Sequence, residues 1–170
     1  MARYRIVPEH SRVWIDARSS LHPIHSSSDG LNGYVDVEPS EDGGLHLGAQ
    51  AGGRVSLPVA RLSSGNRLED RELQKRIDAK RFPTIDGVLT DIERIKNGRY
   101  LVRGDVTFRG VTRACEDVMT ARIVNDRTIQ VEGRSTFDIR DFGMEPPRLL
   151  MLRVEPEVVV RVTIVAQQEE

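Results

Sequence analysis

In eight separate runs of this chain, apolar residues recur at every second position. Period two is the spacing of one face of a β-strand, and an apolar face has to be covered by something. In "RVWIDARSS", Val13, Ile15 and Ala17 alternate with Trp14, Asp16 and Arg18. "LNGYVDVEP" sets Leu31, Gly33, Val35 and Val37 against polar neighbours, and "RVSLPVARL" offers Val55, Leu57 and Val59. "TIDGVLTDI" is less clean, with Ile85, Gly87 and Leu89 as its better set. "YLVRGDVTF" gives Tyr100, Val102, Gly104, Val106 and Phe108; "CEDVMTARI" gives Cys115, Asp117, Met119, Ala121 and Ile123. "TIQVEGRSTFDI" and "EVVVRVTIV" close the series with Ile129 to Ile139 and Val158 to Ile164. Strands of this kind belong to an antiparallel sheet with one wet side.

The punctuation agrees. "SSSDG", "SEDGG", "KNG" and "VND" fall between the runs, and Asn-Gly suits a tight hairpin. One segment departs from the pattern: "RLEDRELQKRIDAKRFP" spaces Leu73 and Ile77 four apart among good helix formers. A short helix within Leu68 to Ala79 is expected, stopped by Phe82-Pro83. The 170 residues read as one domain, spanning 1–170, with no repeat and no linker. Eight antiparallel strands leave two open edges unless the sheet closes, so the expected fold is an all-β, eight-stranded antiparallel barrel with one short helical insert. Gly110 then bends the chain after the Gly104–Phe108 strand.

With charged residues at 30% and a net charge of −1, the chain lacks the basic excess of a nucleic-acid binder. No apolar run is long enough to span a membrane, and the reading is a soluble, cytoplasmic protein. A single cysteine excludes an internal disulfide and a zinc site built from several thiolates. "HPIH" places His22 and His25 three apart, with Asp29 near and His46 farther on. A loop pair without a third fixed donor makes a poor metal site, and no metal is expected. Cys115 reads as a buried, inert thiol. "GGRV" and "GLNG" are not followed by a phosphate-binding helix, and no Gly-x-Ser-x-Gly elbow occurs, so neither a cofactor nor a catalytic residue is assigned.

The residues sharing the inward phase form the candidate wall: Ile15, Ala17, Leu57, Ile85, Leu89, Val106, Phe108, Asp117, Met119 and Phe137. Asp117 is the odd member. Either it points inward and meets a ligand head group or an arginine, or a bulge turns it to water. In "MEPPRLLMLRVEP", which follows the "DFG" turn, Pro146 and Pro147 forbid a regular strand or helix through that pair. Phe142, Met144, Leu150 and Met151 are therefore read either as a lid at the barrel mouth or as core leading into the last strand.

Five segments in order carry a family resemblance: "YRIVPEHSRVWI", "GLNGYVDVE", "LSSGNRLEDRELQKRIDAKRFPTI", "GDVTFRGVTR" and "STFDIRDFGM". Together they resemble the YceI-like proteins, bacterial lipocalin-like β-barrels that hold a long isoprenoid or fatty-acyl chain. The resemblance implies binding of a long hydrophobic chain for carriage, storage or sequestration. Nucleic acid is not an implied partner, and a homodimer is an open option. Two other classes stay open: an enzyme using the cavity for isomerisation or hydrolysis, and a filled barrel acting through its surface. The chain departs from the family's pattern at Gly87 (usually a bulky aromatic), at Leu89 (usually small and polar) and at Asp117 (usually apolar). The expectation is that Leu89 fills the volume missing at Gly87.

Overall fold

Every run with period two becomes a strand. The computed structural model describes residues 2–39, 45–46, 52–149 and 151–170, with side chains described at all of these but 39, 45, 46 and 149. The strands are β1 (Ala2–Ile6), β2 (Arg12–Ser19), β3 (Pro23–Ser28), β4 (Asn32–Pro39), β5 (Leu45–His46) and β6 (Gly52–Pro58), followed by β7 (Thr84–Lys96), β8 (Arg99–Phe108), β9 (Val111–Asn125), β10 (Thr128–Asp138), β11 (Arg148–Leu149) and β12 (Leu152–Gln168). The helix α1 (Arg67–Ile77) lies between β6 and β7.

Neighbours in the sheet run β1-β4-β6-β7-β8-β9-β10-β12, all antiparallel, and β12 pairs back onto β1. That last pairing turns the sheet into the expected closed barrel of eight strands. Two further strands extend it: β2 follows β1 along the same edge of β12, and β3 pairs with β2. Two hairpin turns use pairs of residues with positive φ, each ending in Gly. Asn97 and Gly98 (φ 54° and 73°) join β7 to β8, and Arg109 and Gly110 (φ 53° and 75°) join β8 to β9. Gly110 has a second constraint, because a Cβ there would stand 2.9 Å from the Phe82 ring. Outside, charged pairs line the wet face. Arg103 reaches both Asp91 and Glu116 at 2.7 Å, and the Arg3 guanidinium at 2.8 Å holds the Asp36 carboxyl below its ordinary range.

The helix begins where Asn66 accepts hydrogen bonds from the amides of Leu68 (3.1 Å) and Glu69 (3.2 Å), satisfying two donors that have no partner within the helix. It ends at Asp78, whose left-handed backbone (φ 61°) turns the chain. Its narrow apolar stripe is buried against one barrel end. Ile77 packs with Val59 and Met144, and Leu73 lies against Ile24 and Val154. Tyr4, Val37, Tyr100, Ile129 and Ala166 form a separate buried cluster. There, desolvation raises the pKa of the Tyr4 phenol.

Closure needs a repair. Ile6 pairs with Ala166 and Arg12 with Thr163, so residues 7–11 stand against only residues 164 and 165. The excess folds into a 3-10 turn at Pro8–His10, where proline offers no amide to the ladder. Val7 N–H still donates to the Val165 carbonyl at 2.8 Å. The Val165 amide donates at 3.0 Å to the hydroxyl of buried Ser11, which in turn donates to the Val7 carbonyl at 2.8 Å. One hydroxyl thus replaces a missing main-chain partner. Ser11→Ala leaves that amide unsatisfied and is expected to destabilise the fold by about 1–3 kcal/mol in urea unfolding. An unchanged midpoint would show that the hydroxyl does not hold the closure.

Candidate functional site

The wall residues read from the sequence share the inward phase of the barrel, and the structure brings them together in layers. Val55, Gly87 and Val106 are cross-strand partners on β6, β7 and β8. The next layer joins Gly53, Leu89, Gly104 and Cys115. Ile15, Leu57 and Ile85 pack in one apolar group with Ile6, Val13 and Leu31, while Ala17 lies with Ile24 and Val154. Phe108 and Ile85 border the helix end through Val59, Ile77 and Met144.

Their burial is uneven. Leu57 is buried, yet Ile15, Ala17, Ile85, Leu89, Val106, Phe108, Met119 and Phe137 face inward and are only half-buried. In a barrel filled by its own side chains, such residues would be packed out of reach of water. Three clusters around them are buried, the middle one holding Leu57 with Ile15 and Ile85 packed against it. Leu89, Val106, Met119 and Phe137 belong to none of these clusters and are only partly covered.

The segment read as a lid or as core divides. Phe142 and Met144 are buried, at 5% and 4% exposure. Phe142 meets Phe108 edge to face (5.8 Å between centroids) and Phe137 at 6.3 Å, forming an aromatic group below the helix. Met151 is 95% exposed in the turn between β11 and β12, and Leu150 lies outside the described residues. Of the histidines, His22 is exposed and His25 Nδ1 sits 2.6 Å from Asp16. That hydrogen bond, with Arg161 nearby, lowers the Asp16 pKa. The His46 side chain lies outside the described residues.

Asp117 is the charged member of the wall. The β8–β9 register is unbroken from Arg99–Thr120 to Phe108–Val111, so no bulge turns Asp117 away from the inward phase. It is half-buried, and Ser135, inward on β10, donates a hydrogen bond to its Oδ2. Sequence reasoning missed this pairing, although Ser135 stood visibly as a polar residue in an apolar phase. Cys115 lies one inward step away. Burial first, then the charges of Asp117 and Asp105, push its thiol above the ordinary range, so it stays protonated at neutral pH.

The space at Gly87 is taken by a different neighbour from the one expected. A Cβ at Gly87 would stand 2.8 Å from Val55 Cγ2, and no other heavy atom lies within 4 Å. Val55 is the direct cross-strand partner, whereas Leu89 is set between Gly53 and Gly104. At the Cβ position of Gly87 the contact thus comes across the ladder, not along the strand.

A sequence model of the YceI-like domain matches residues 4–166. Among curated proteins none matches the chain. Similar folds occur in BcnA of Burkholderia cenocepacia, with a TM-score of 0.80 at 18% identity over 94% of this chain and 98% of that one. A polyisoprenoid binding domain from Saccharophagus degradans, implicated in plant cell wall breakdown, gives 0.80 at 11% identity over 99% and 100%. The YceI protein of Campylobacter jejuni gives 0.69 at 16% identity over 85% of each chain.

Packing at Gly87 yields a direct test. Val55 is β-branched and cannot swing aside, so Gly87→Ala is expected to cost about 1–3 kcal/mol in thermal or urea unfolding. Val55→Ala in the same chain should recover most of that loss, and Leu89→Ser should not. Rescue by Leu89→Ser alone would restore the along-strand account.

Proposed function

The chain belongs to the YceI-like family, and on that premise we propose that it is a carrier that encloses a long apolar chain, of isoprenoid or fatty-acyl type, in its barrel. The observation that carries this reading is the set of inward, apolar residues, Leu89, Val106, Met119 and Phe137, that stay only half-buried among the buried clusters. Affinity comes from desolvation: each methylene withdrawn from water contributes roughly 0.8 kcal/mol, and a chain of many carbons needs no charged contact. The polyisoprenoid binding domain of similar fold supports the same class of ligand.

We read the protein as a carrier and not as an enzyme. Among the described residues Ser135 donates to a carboxylate and has no imidazole hydrogen-bonded to it, while the raised Cys115 thiol is held in its unreactive form. We place the carrier in the cytoplasm, where a lone thiol stays reduced. Described helices include none long and apolar enough to cross a membrane.

Solvent extraction of the protein purified from cells, followed by mass spectrometry, is expected to release a stoichiometric apolar chain. Val106→Trp puts a large ring into the layer beside Gly87. If it displaces two methylenes of the ligand, uptake of a fluorescent fatty acid should fall roughly tenfold while cooperative unfolding is retained. Normal uptake by a folded Val106→Trp protein would move the chain out of this layer, and no uptake by the wild type, with nothing extracted from it, would sink the carrier reading.

A further inference from the structure

The barrel wall has a seam. The β9–β10 ladder runs from Thr128–Asn125 to Gly133–Met119 and stops there. Yet β9 stays paired with β8 as far as Val111, and β10 stays paired with β12 as far as Asp138. Beyond Met119 and Gly133 no residue of β9 is paired with one of β10, and the 3-10 turn Ile139–Phe142 is lodged against both. Arg113 Nε ties that turn in place by donating to the Asp141 carbonyl at 2.9 Å.

Asp117 and Ser135 stand at the first inward step past the end of the ladder, joined by a side chain where main chain no longer joins. An ionised carboxylate offers about four acceptor positions. Ser135 supplies the one hydrogen bond given to Asp117 among the described residues. The neighbours on the same face are Met119 and the protonated thiol of Cys115, which compete poorly for the remaining positions. Arg113 shares the face farther on, but its guanidinium is exposed and engaged with the Asp141 and Thr112 carbonyls. A half-buried acceptor of negative charge, set in an apolar wall beside a gap, selects for hydrogen-bond donors and against anions.

We propose that Asp117 with Ser135 is the polar end of the binding site, and that the bound molecule is an apolar chain terminating in a hydrogen-bond donor, a hydroxyl or an amine, not in a phosphate or carboxylate. This rests on the carrier reading above and adds the head group to it. Asp117 is on this account a specificity-determining residue.

The test compares four ligands with one tail: farnesol, farnesylamine, farnesyl diphosphate and the headless hydrocarbon farnesane. Each is titrated into the wild-type full chain, Asp117→Leu and Asp117→Asn. Wild type should bind the alcohol and the amine roughly tenfold or more tighter than the diphosphate or the hydrocarbon. Asp117→Leu should bring alcohol and hydrocarbon together and lose the preference for amine. Asp117→Asn, which keeps the shape, should relax the discrimination against diphosphate, and its Cys115 should alkylate faster at a given pH because a nearby negative charge is gone. Equal binding of all four ligands by wild type, or a preference unmoved in both variants, overturns the head-group assignment while the carrier reading stands. If wild type takes up none of the four, the carrier reading fails and the assignment falls with it.

Discussion

The rest of the structure depends on β12 being paired along both edges. Its 17 residues carry Val158, Val160, Val162 and Ile164 on the inward phase, opposite β10 on one side and opposite β2 and then β1 on the other. Without that strand the remaining sheet would present two free edges, and its apolar face would have nothing to curl around. The first edge is not one straight strand. It breaks between Ile6 and Arg12, and the break survives because Ser11 takes over the bond that the ladder loses. The break has a further effect. Because β1 pairs with β4 and β2 pairs with β3, β3 meets the segment that follows β6 through an isolated bridge at Ser27–Ser63. The helix packs on this side of the barrel, with Leu73 against Ile24 of β3 and Ile77 against Val59.

Much of this was legible because a period of two leaves few choices. The phase of each run assigned the wall, and Asn97-Gly98 announced its turn. The sequence was hardest to follow where the period is repaired. In β7 an extra residue, Thr90, breaks the register between Leu89 and Asp91, so the inward phase jumps from Leu89 to Ile92. Read without the bulge, "TIDGVLTDI" loses its alternation, and so it looked the least regular of the runs. Ser11 was equally hidden: its task depends on a partner 154 positions away. The replacement of volume at Gly87 by Val55 depends on register between strands, which no single strand carries. Asp117 was visible as an anomaly, but its direction was decided by the continuity of β8 with β9 and its partner by the geometry of β10.

The interior combines two requirements that pull against each other. Close packing stabilises a barrel, and a vacant lumen forfeits the contacts that packing would supply. The chain divides the task by level. Tyr4, Val37, Tyr100, Ile129 and Ala166 supply dense packing in one layer, and Val59, Ile77 and Met144 supply it beneath the helix. Between them the wall alternates small and large residues, as in Val55–Gly87–Val106 and Gly53–Leu89–Gly104. Dense packing is concentrated in the layers that hold the shape, and the layer of Leu89 and Val106 carries less of it.

The pairing that closes the ring joins Tyr4 to Gln168. Contacts so far apart in sequence are slow to form, because the whole intervening chain must be organised before their ends can meet. On the ribosome, β1 is made early and waits with an unpaired edge until β12 is synthesised. Through that interval β4 covers one side of β1 and nothing native covers the other. Arg3 and Arg5 point outward along β1, and charge on a waiting edge discourages pairing with a neighbouring chain. Closure therefore has to wait until the last strand is made, and the barrel has no enclosed interior before then.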